Sequence, residues 1–215
     1  MFSHIFFDLD GTLTDPALGI TNSFSHALKE MGREIPSYAT LCSFIGPPIK
    51  ETFANLGFSK EGIEEGVKKY REYFSTKGLY ENKVYEGIPE LLAELKAAGK
   101  KLVIATSKPE IFSVQIAEHF GFSQYFENIC GSTMDQSRST KASVIEYALE
   151  RNKINDKSKV LMVGDREHDI FGARQNGLKS CGVLFGYGTR QELEKAGADF
   201  IAKDLSGLKA ICMEN

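Results

Sequence analysis

The stretch Ile5-Phe6-Phe7-Asp8-Leu9-Asp10-Gly11-Thr12-Leu13-Thr14-Asp15 decides how this chain folds. Its apolar run, Ile5-Phe6-Phe7, predicts a buried strand that ends abruptly in two carboxylates one residue apart. In an extended chain Asp8 and Asp10 leave on the same side, and Gly11 lets the backbone turn away. Carboxylates held together repel unless a cation lies between them or one keeps its proton. That pattern suits a divalent-metal site, or a nucleophile beside an acid. Surface acids in a turn are the plainer alternative, since Asp and Gly are common turn formers.

Three further apolar runs, Leu102–Ala105, Val160–Val163 and Ser180–Leu184, are short, nearly continuous in hydrophobicity and followed by polar or glycine-containing turns. Central strands of a parallel sheet covered on both faces read this way, and Glu127–Gly131 is a weaker candidate. Helices are expected over Ile88–Ala98, Pro109–Phe120, Ala142–Arg151 and Asp169–Asn176. In the first of these, Ile88, Leu91, Leu92 and Leu95 form an amphipathic stripe, and Gly99 follows its end. Alternating strands and helices imply an α/β fold, an open Rossmann-like parallel sheet with right-handed crossovers.

Residues 16–80 differ: they carry helical patterns and no strand pattern. Asn22–Met31, Ile49–Leu56 and a helix capped by Ser59 with the stripe Ile63, Val67, Tyr70 and Phe74 are expected there. The turn-forming Gly46-Pro47-Pro48 divides them. The expected organisation is an α/β core of residues 1–15 and 81–215 with an inserted helical cap at 16–80. Such an insertion leaves the core at the carboxyl end of the first strand, where open α/β sheets bind ligands.

Of 215 residues, 42% are hydrophobic and 26% charged, as in an ordinary soluble protein. The net charge of −3 and the lack of a basic stretch give no nucleic-acid partner. Cys42, Cys130, Cys181 and Cys212 are scattered without metal-ligand spacing, as expected of reduced thiols in the cytoplasm. No signal peptide or apolar run near 18 residues is present, so no membrane association is expected.

The other strand ends also deliver chemistry. Leu102–Ala105 leads into Thr106-Ser107-Lys108, whose hydroxyl and backbone N–H groups before a helix can cradle an anion, with Pro109 in that helix's first turn. Lys141 opens the next helix, where the dipole disfavours a cation, so another force such as a phosphate or carboxylates is expected to hold it. Val160–Val163 leads into Gly164-Asp165-Arg166-Glu167-His168-Asp169, with Asp165 and Asp169 four apart. His168 reads as a helix-surface residue.

These four segments follow the four consecutive motifs of the haloacid dehalogenase superfamily, and the chain resembles its phosphatase branch with a helical cap. Asp8-x-Asp10-x-Thr12 matches the first motif, Thr106 the second, Lys141 the third and Gly164-Asp165-x-x-x-Asp169 the fourth. Gly87-Ile88-Pro89 and Phe185-Gly186-Tyr187-Gly188 resemble phosphoglycolate phosphatases in particular. Lys141-Ala142-Ser143-Val144 lacks the prolines that often follow the third-motif lysine.

The resemblance implies a Mg²⁺-dependent phosphatase. Asp8 is then the nucleophile that forms an aspartyl-phosphate, and Asp10 the general acid and base. Asp8, the Asp10 main-chain carbonyl and Asp165 bind the metal directly, with Asp169 acting through water. Gly11, Thr12, Thr106, Ser107 and Lys141 bind the phosphoryl group. The expected partner is a small phosphorylated metabolite and the expected state a monomer. A nucleoside monophosphate, pyrophosphate or sugar phosphate are the alternatives to phosphoglycolate, with Lys50 a candidate substrate contact in the cap. A phosphosugar mutase is disfavoured, because Ile20 stands where those relatives carry a histidine. Dehalogenation needs neither Asp10 nor the acidic fourth motif. A non-catalytic receiver-type phospho-acceptor lacks the helical insertion.

Overall fold

The computed structural model describes residues 1–135 and 137–213. The chain divides into two compact units, one of residues 1–15 and 84–215, the other of residues 16–83.

The first unit is built on a six-stranded sheet. Its spatial order is Asn128–Ser132, Lys101–Pro109, His4–Phe7, Val160–Gly164, Lys179–Val183 and Phe200–Ala202. Every pairing is parallel, so this is the open α/β sheet expected from the sequence. The central strands are apolar throughout because helices cover both faces: Ile5–Phe7, Leu102–Ala105 and Val160–Val163 are all fully buried. Register then dictates what stands at the carboxyl edge. Phe7 pairs with Ile104 on one side and Val163 on the other. Asp8 therefore follows level with Ala105 and Gly164, and its N–H donates to Val163 O at 2.8 Å.

Several boundaries differ from expectation. The second strand continues to Pro109 through a register shift after Ala105. The helix after it is Glu110–His119, so Pro109 caps that helix instead of opening it. A proline has no N–H to give and suits either place. The strand Phe200–Ala202 and the helices Arg190–Ala196 and Leu205–Met213 were not expected. They are short, and the strand is only half-buried, which erases the apolar run that marks the others. Cys130, Cys181 and Cys212 are buried free thiols. Among the described residues no helix is long and apolar enough to cross a membrane.

The second unit comprises the helices Ala17–Glu30, Tyr38–Cys42, Ile49–Asn55 and Lys60–Tyr73, the last continuing as a π-turn over Phe74–Gly78. Ser59 caps Lys60–Tyr73 by accepting from Gly62 N at 3.2 Å. The core is aromatic: Phe24 lies 5.5 Å from Phe53 and 4.8 Å from Tyr70, ring centre to ring centre. Tyr70 in turn stacks on Phe74. Of the expected stripe, Val67, Tyr70 and Phe74 are buried, while Ile63 is half-buried.

The first helix of this unit meets the π-turn at Gly19, where a Cβ would collide with the Gly78 carbonyl oxygen. Gly19→Ala is expected to destabilise the protein by about 2 kcal/mol despite alanine's better helix propensity, since backbone cannot yield as a side chain can. Gly207, whose Cβ would find its nearest neighbour at 3.6 Å, is the control. Thermal melts should show a clear loss for Gly19→Ala and none for Gly207→Ala; equal melting temperatures would contradict this packing.

Candidate active site

Three strands of the first unit end together in acids and hydroxyls. Asp8 follows the central strand, Thr106 lies in the irregular tail of the second, and Asp165 follows Val160–Gly164. Ligand oxygens of Asp8, Asp165 and Asp169 lie within 4.8 Å of one another. Asp165 and Asp169 are each only 1% exposed.

Lys141 opens the helix Lys141–Arg151, whose N-cap Thr140 accepts from Ser143 N at 3.1 Å. Its Nζ lies 2.7 Å from Asp8 Oδ1, 2.7 Å from Asp169 Oδ1 and donates to Ala105 O at 3.1 Å. Burial alone pushes the ammonium down, but the carboxylates of Asp169 and Asp8 outweigh it and hold the pKa above that of an ordinary lysine. This explains a buried cation at a helix N-terminus, where the dipole opposes it. Asp169 has a second task, since its Oδ2 accepts from Arg166 N at 3.1 Å and caps the helix Glu167–Gln175.

Asp165 is held from other directions. Its Oδ2 accepts from Tyr187 N at 2.8 Å, and Thr12 Oγ1 lies 3.4 Å from its Oδ1. Burial, then the Asp169 and Asp8 carboxylates, push its pKa up to about 8. Burial also raises Asp169, reinforced by Asp8 and opposed by Lys141. Close approach here depends on glycine. Gly11 has φ +81°, and a Cβ there, or at Gly186, would strike the Asp165 carboxylate.

One ammonium does not balance three carboxylates, two of them buried and the third, Asp8, half-buried. Asp8 Oδ1 and Asp169 Oδ1 touch Lys141 as ion pairs, but neither receives a hydrogen bond of good geometry. Like charges about 4 Å apart cost about 4 kcal/mol at an effective dielectric of 20. The two orphaned oxygens of Asp8 and Asp169, with the Asp165 carboxylate beside them, fit a hard divalent cation.

Asp10 stands apart from this group. Its Oδ2 lies 2.5 Å from Lys108 Nζ, while its Oδ1 is buried without a hydrogen bond. Burial raises the Asp10 pKa more strongly than Lys108 lowers it. Lys108 was not among the expected site residues, because the extended tail that places it two after Thr106 on the same side is seen only in the structure. Thr106 is buried and its hydroxyl accepts from Lys108 N at 3.3 Å, whereas Ser107 is half-buried. Tyr187, which lies in the segment Phe185-Gly186-Tyr187-Gly188, was given no site role; besides its amide on Asp165, its hydroxyl donates to Asp15. His168 is exposed. Lys50 pairs with Glu64 at 2.8 Å within the helical unit.

The sequence matches the haloacid dehalogenase-like hydrolase family over residues 5–183. It is 43% identical to a 5'-nucleotidase of Pseudomonas aeruginosa, covering 98% of this chain and 95% of that one. It is 40% identical to the tyrosine-protein kinase PtkA of Mycobacterium tuberculosis, over 92% of this chain and 67% of that one. A phosphoglycolate phosphatase of Agrobacterium fabrum is 31% identical, over 97% and 91%. Among solved structures, a predicted phosphatase from Clostridium acetobutylicum superposes with a TM-score of 0.95 at 44% identity, covering 100% of both chains.

The crowded carboxylates make stability depend on pH when no divalent cation is supplied. A folded-state pKa raised to about 8 for Asp165, against an unfolded value near 4, stabilises the fold below pH ~4. That contribution is lost as pH rises toward 8. In the presence of a chelator, the wild-type melting temperature should fall relative to Asp165→Asn between pH 5 and 8, roughly as the linkage requires. Parallel profiles for the two proteins would contradict the electrostatic account.

Proposed function

The chain belongs to the haloacid dehalogenase-like hydrolases and is a phosphoric monoester hydrolase, and from that premise we propose a Mg²⁺-dependent phosphatase working through a phosphoaspartyl intermediate on Asp8. The observation that carries this reading is the Asp8 carboxylate at the end of the central strand. It is seated against Lys141 and grouped with Asp165 and Asp169. A phosphate monoester hydrolyses so slowly in water that a catalyst must remove on the order of 20 kcal/mol from its barrier. In this reading a carboxylate oxygen of Asp8 attacks phosphorus as the ester P–O bond breaks. Asp10 gives a proton to the departing oxygen, then takes one from the water that releases phosphate. Thr106 and Lys141, with the Ser107 amide and the Gly11-Thr12 turn, hold the phosphoryl oxygens.

Asp8 and Asp165 would hold Mg²⁺, with the Asp10 carbonyl, and Asp169 would act through water. When bound, the ion supplies charge neutralisation between an anionic nucleophile and an anionic substrate. For substrate, we favour a nucleoside 5'-monophosphate over phosphoglycolate, because the relative named for the former is 43% identical and that named for the latter 31%. A second reading, phosphoryl transfer to a tyrosine hydroxyl, is favoured only by the name of the mycobacterial relative.

The test is a phosphate-release assay over nucleoside 5'-monophosphates, phosphoglycolate, pyrophosphate and sugar phosphates, with and without Mg²⁺. Activity should need Mg²⁺, need no nucleoside triphosphate, and be greatest on a nucleoside 5'-monophosphate. Asp8→Asn, nearly isosteric but a poor nucleophile, should reduce it to background with the circular dichroism spectrum unchanged. Asp165→Asn should raise the Mg²⁺ concentration needed to stabilise the protein against heat. Multiple turnovers by Asp8→Asn would overturn the nucleophile assignment, and preference for phosphoglycolate would overturn the substrate.

A further inference from the structure

A buried lysine that reaches past the phosphoryl-binding residues needs a reason. The Lys108 side chain is 6% exposed, and removing an ammonium from water costs several kcal/mol unless a partner offsets it. Its partner is Asp10, 98 residues away in sequence, at 2.5 Å through Oδ2. Lys108 lies in the stretch over which the second strand shifts register, between Ala105 and Pro109. The same residue's N–H donates to Thr106 Oγ1 at 3.3 Å, so one residue braces two members of the site.

The pair divides the Asp10 carboxyl into two unlike oxygens. Oδ2 is held by Lys108, and Oδ1 is buried with no hydrogen bond. A carboxyl that rotates freely presents either oxygen and spends little time aligned, whereas a clamped one presents a single oxygen continuously. We infer that Lys108 is a positioning residue for Asp10, holding Oδ2 so that Oδ1 alone faces the departing oxygen of the substrate. This deepens the phosphatase reading and rests on it. As the Asp8–phosphorus bond forms and the ester bond breaks, the electron pair of that bond goes to the leaving oxygen. That oxygen takes the proton from Asp10 Oδ1, and the carboxylate left behind is paired with Lys108. When water attacks the phosphoaspartate, its proton returns to Oδ1 and the electron pair of the broken bond returns to Asp8. Lys108 keeps its own protons throughout.

The consequence is a dependence on the leaving group. An alkyl ester, such as a nucleoside 5'-monophosphate, needs a proton on its departing oxygen; 2,4-dinitrophenyl phosphate does not. Lys108→Met should lower kcat/KM for the alkyl ester by roughly 10²-fold, the usual loss for a misplaced catalytic group. It should leave kcat/KM for the dinitrophenyl ester within a few-fold. In an Asp10→Asn background the same change should cost nothing further on the alkyl ester, since a residue acting only through another is silent once that other is disabled. Lys108→Arg should recover most of the alkyl-ester activity. Equal losses on both esters, or losses that multiply in the double variant, would overturn the inference and make Lys108 a structural or substrate-binding residue. If Lys108→Met does not fold, Lys108→Gln is read by the same two criteria. Abolition of activity on both esters by Asp8→Asn in the same assays tests the phosphatase reading separately.

Discussion

Three carboxylates within 4.8 Å of one another at a buried sheet edge are the constraint around which the first unit is arranged. Charged and unaccompanied, they would repel strongly enough to cancel a large part of a domain's usual stability of 5–15 kcal/mol. Lys141 answers part of that repulsion, touching Asp8 and Asp169 together. Its position at a helix N-terminus, against the dipole, shows how strong the carboxylate field is. Asp165 accepts from neutral donors, the Tyr187 amide and the Thr12 hydroxyl, and burial together with the Asp169 and Asp8 carboxylates raises its pKa against the lowering effect of that amide. The residual demand for positive charge is one that a hard cation would meet.

Space is the second half of this arrangement. Parallel register brings Asp8 level with Gly164, and no side chain larger than hydrogen fits at that position beside Asp169. Gly11 turns the chain away under the Asp165 carboxylate with φ +81°, and Gly186 passes over it from the loop after Lys179–Val183. These glycines exchange conformational entropy for closeness, which helps only where charged groups must be brought together. Asp10 and Lys108 form a separate pair beside this group. In the proposed mechanism, metal binding and proton transfer fall to different carboxylates.

The sheet was legible because its central strands are buried on both faces, which leaves an unbroken apolar run in each. The edge strand Phe200–Ala202 is half-buried and left no such mark. The acids and Lys141 could be picked out because each stands at the end of an apolar run or at a helix start, positions defined by local pattern. Lys108 was passed over because Thr106-Ser107-Lys108 reads locally as a helix entry, whereas the strand continues through it. Its partner is 98 residues distant, and no local pattern encodes that. Tyr187 holds Asp165 through its backbone amide, a group every residue but proline possesses, so residue type gave no signal. Lys50, an isolated cation near a turn in the sequence, has Glu64 as its ion-pair partner, a pairing between two helices that no local pattern shows.

The central claim is that Asp8 carries the phosphoryl group between substrate and water. Rapid acid quench of the wild-type protein during turnover, followed by borohydride reduction and peptide mass analysis, tests it directly, because an acyl phosphate is reduced to an alcohol whereas a free carboxylate is not. The account predicts homoserine at position 8, dependent on substrate and absent from protein quenched without it. Reduction at another aspartate, or phosphate release with no reducible intermediate under conditions that trap a known acyl phosphate, would contradict it.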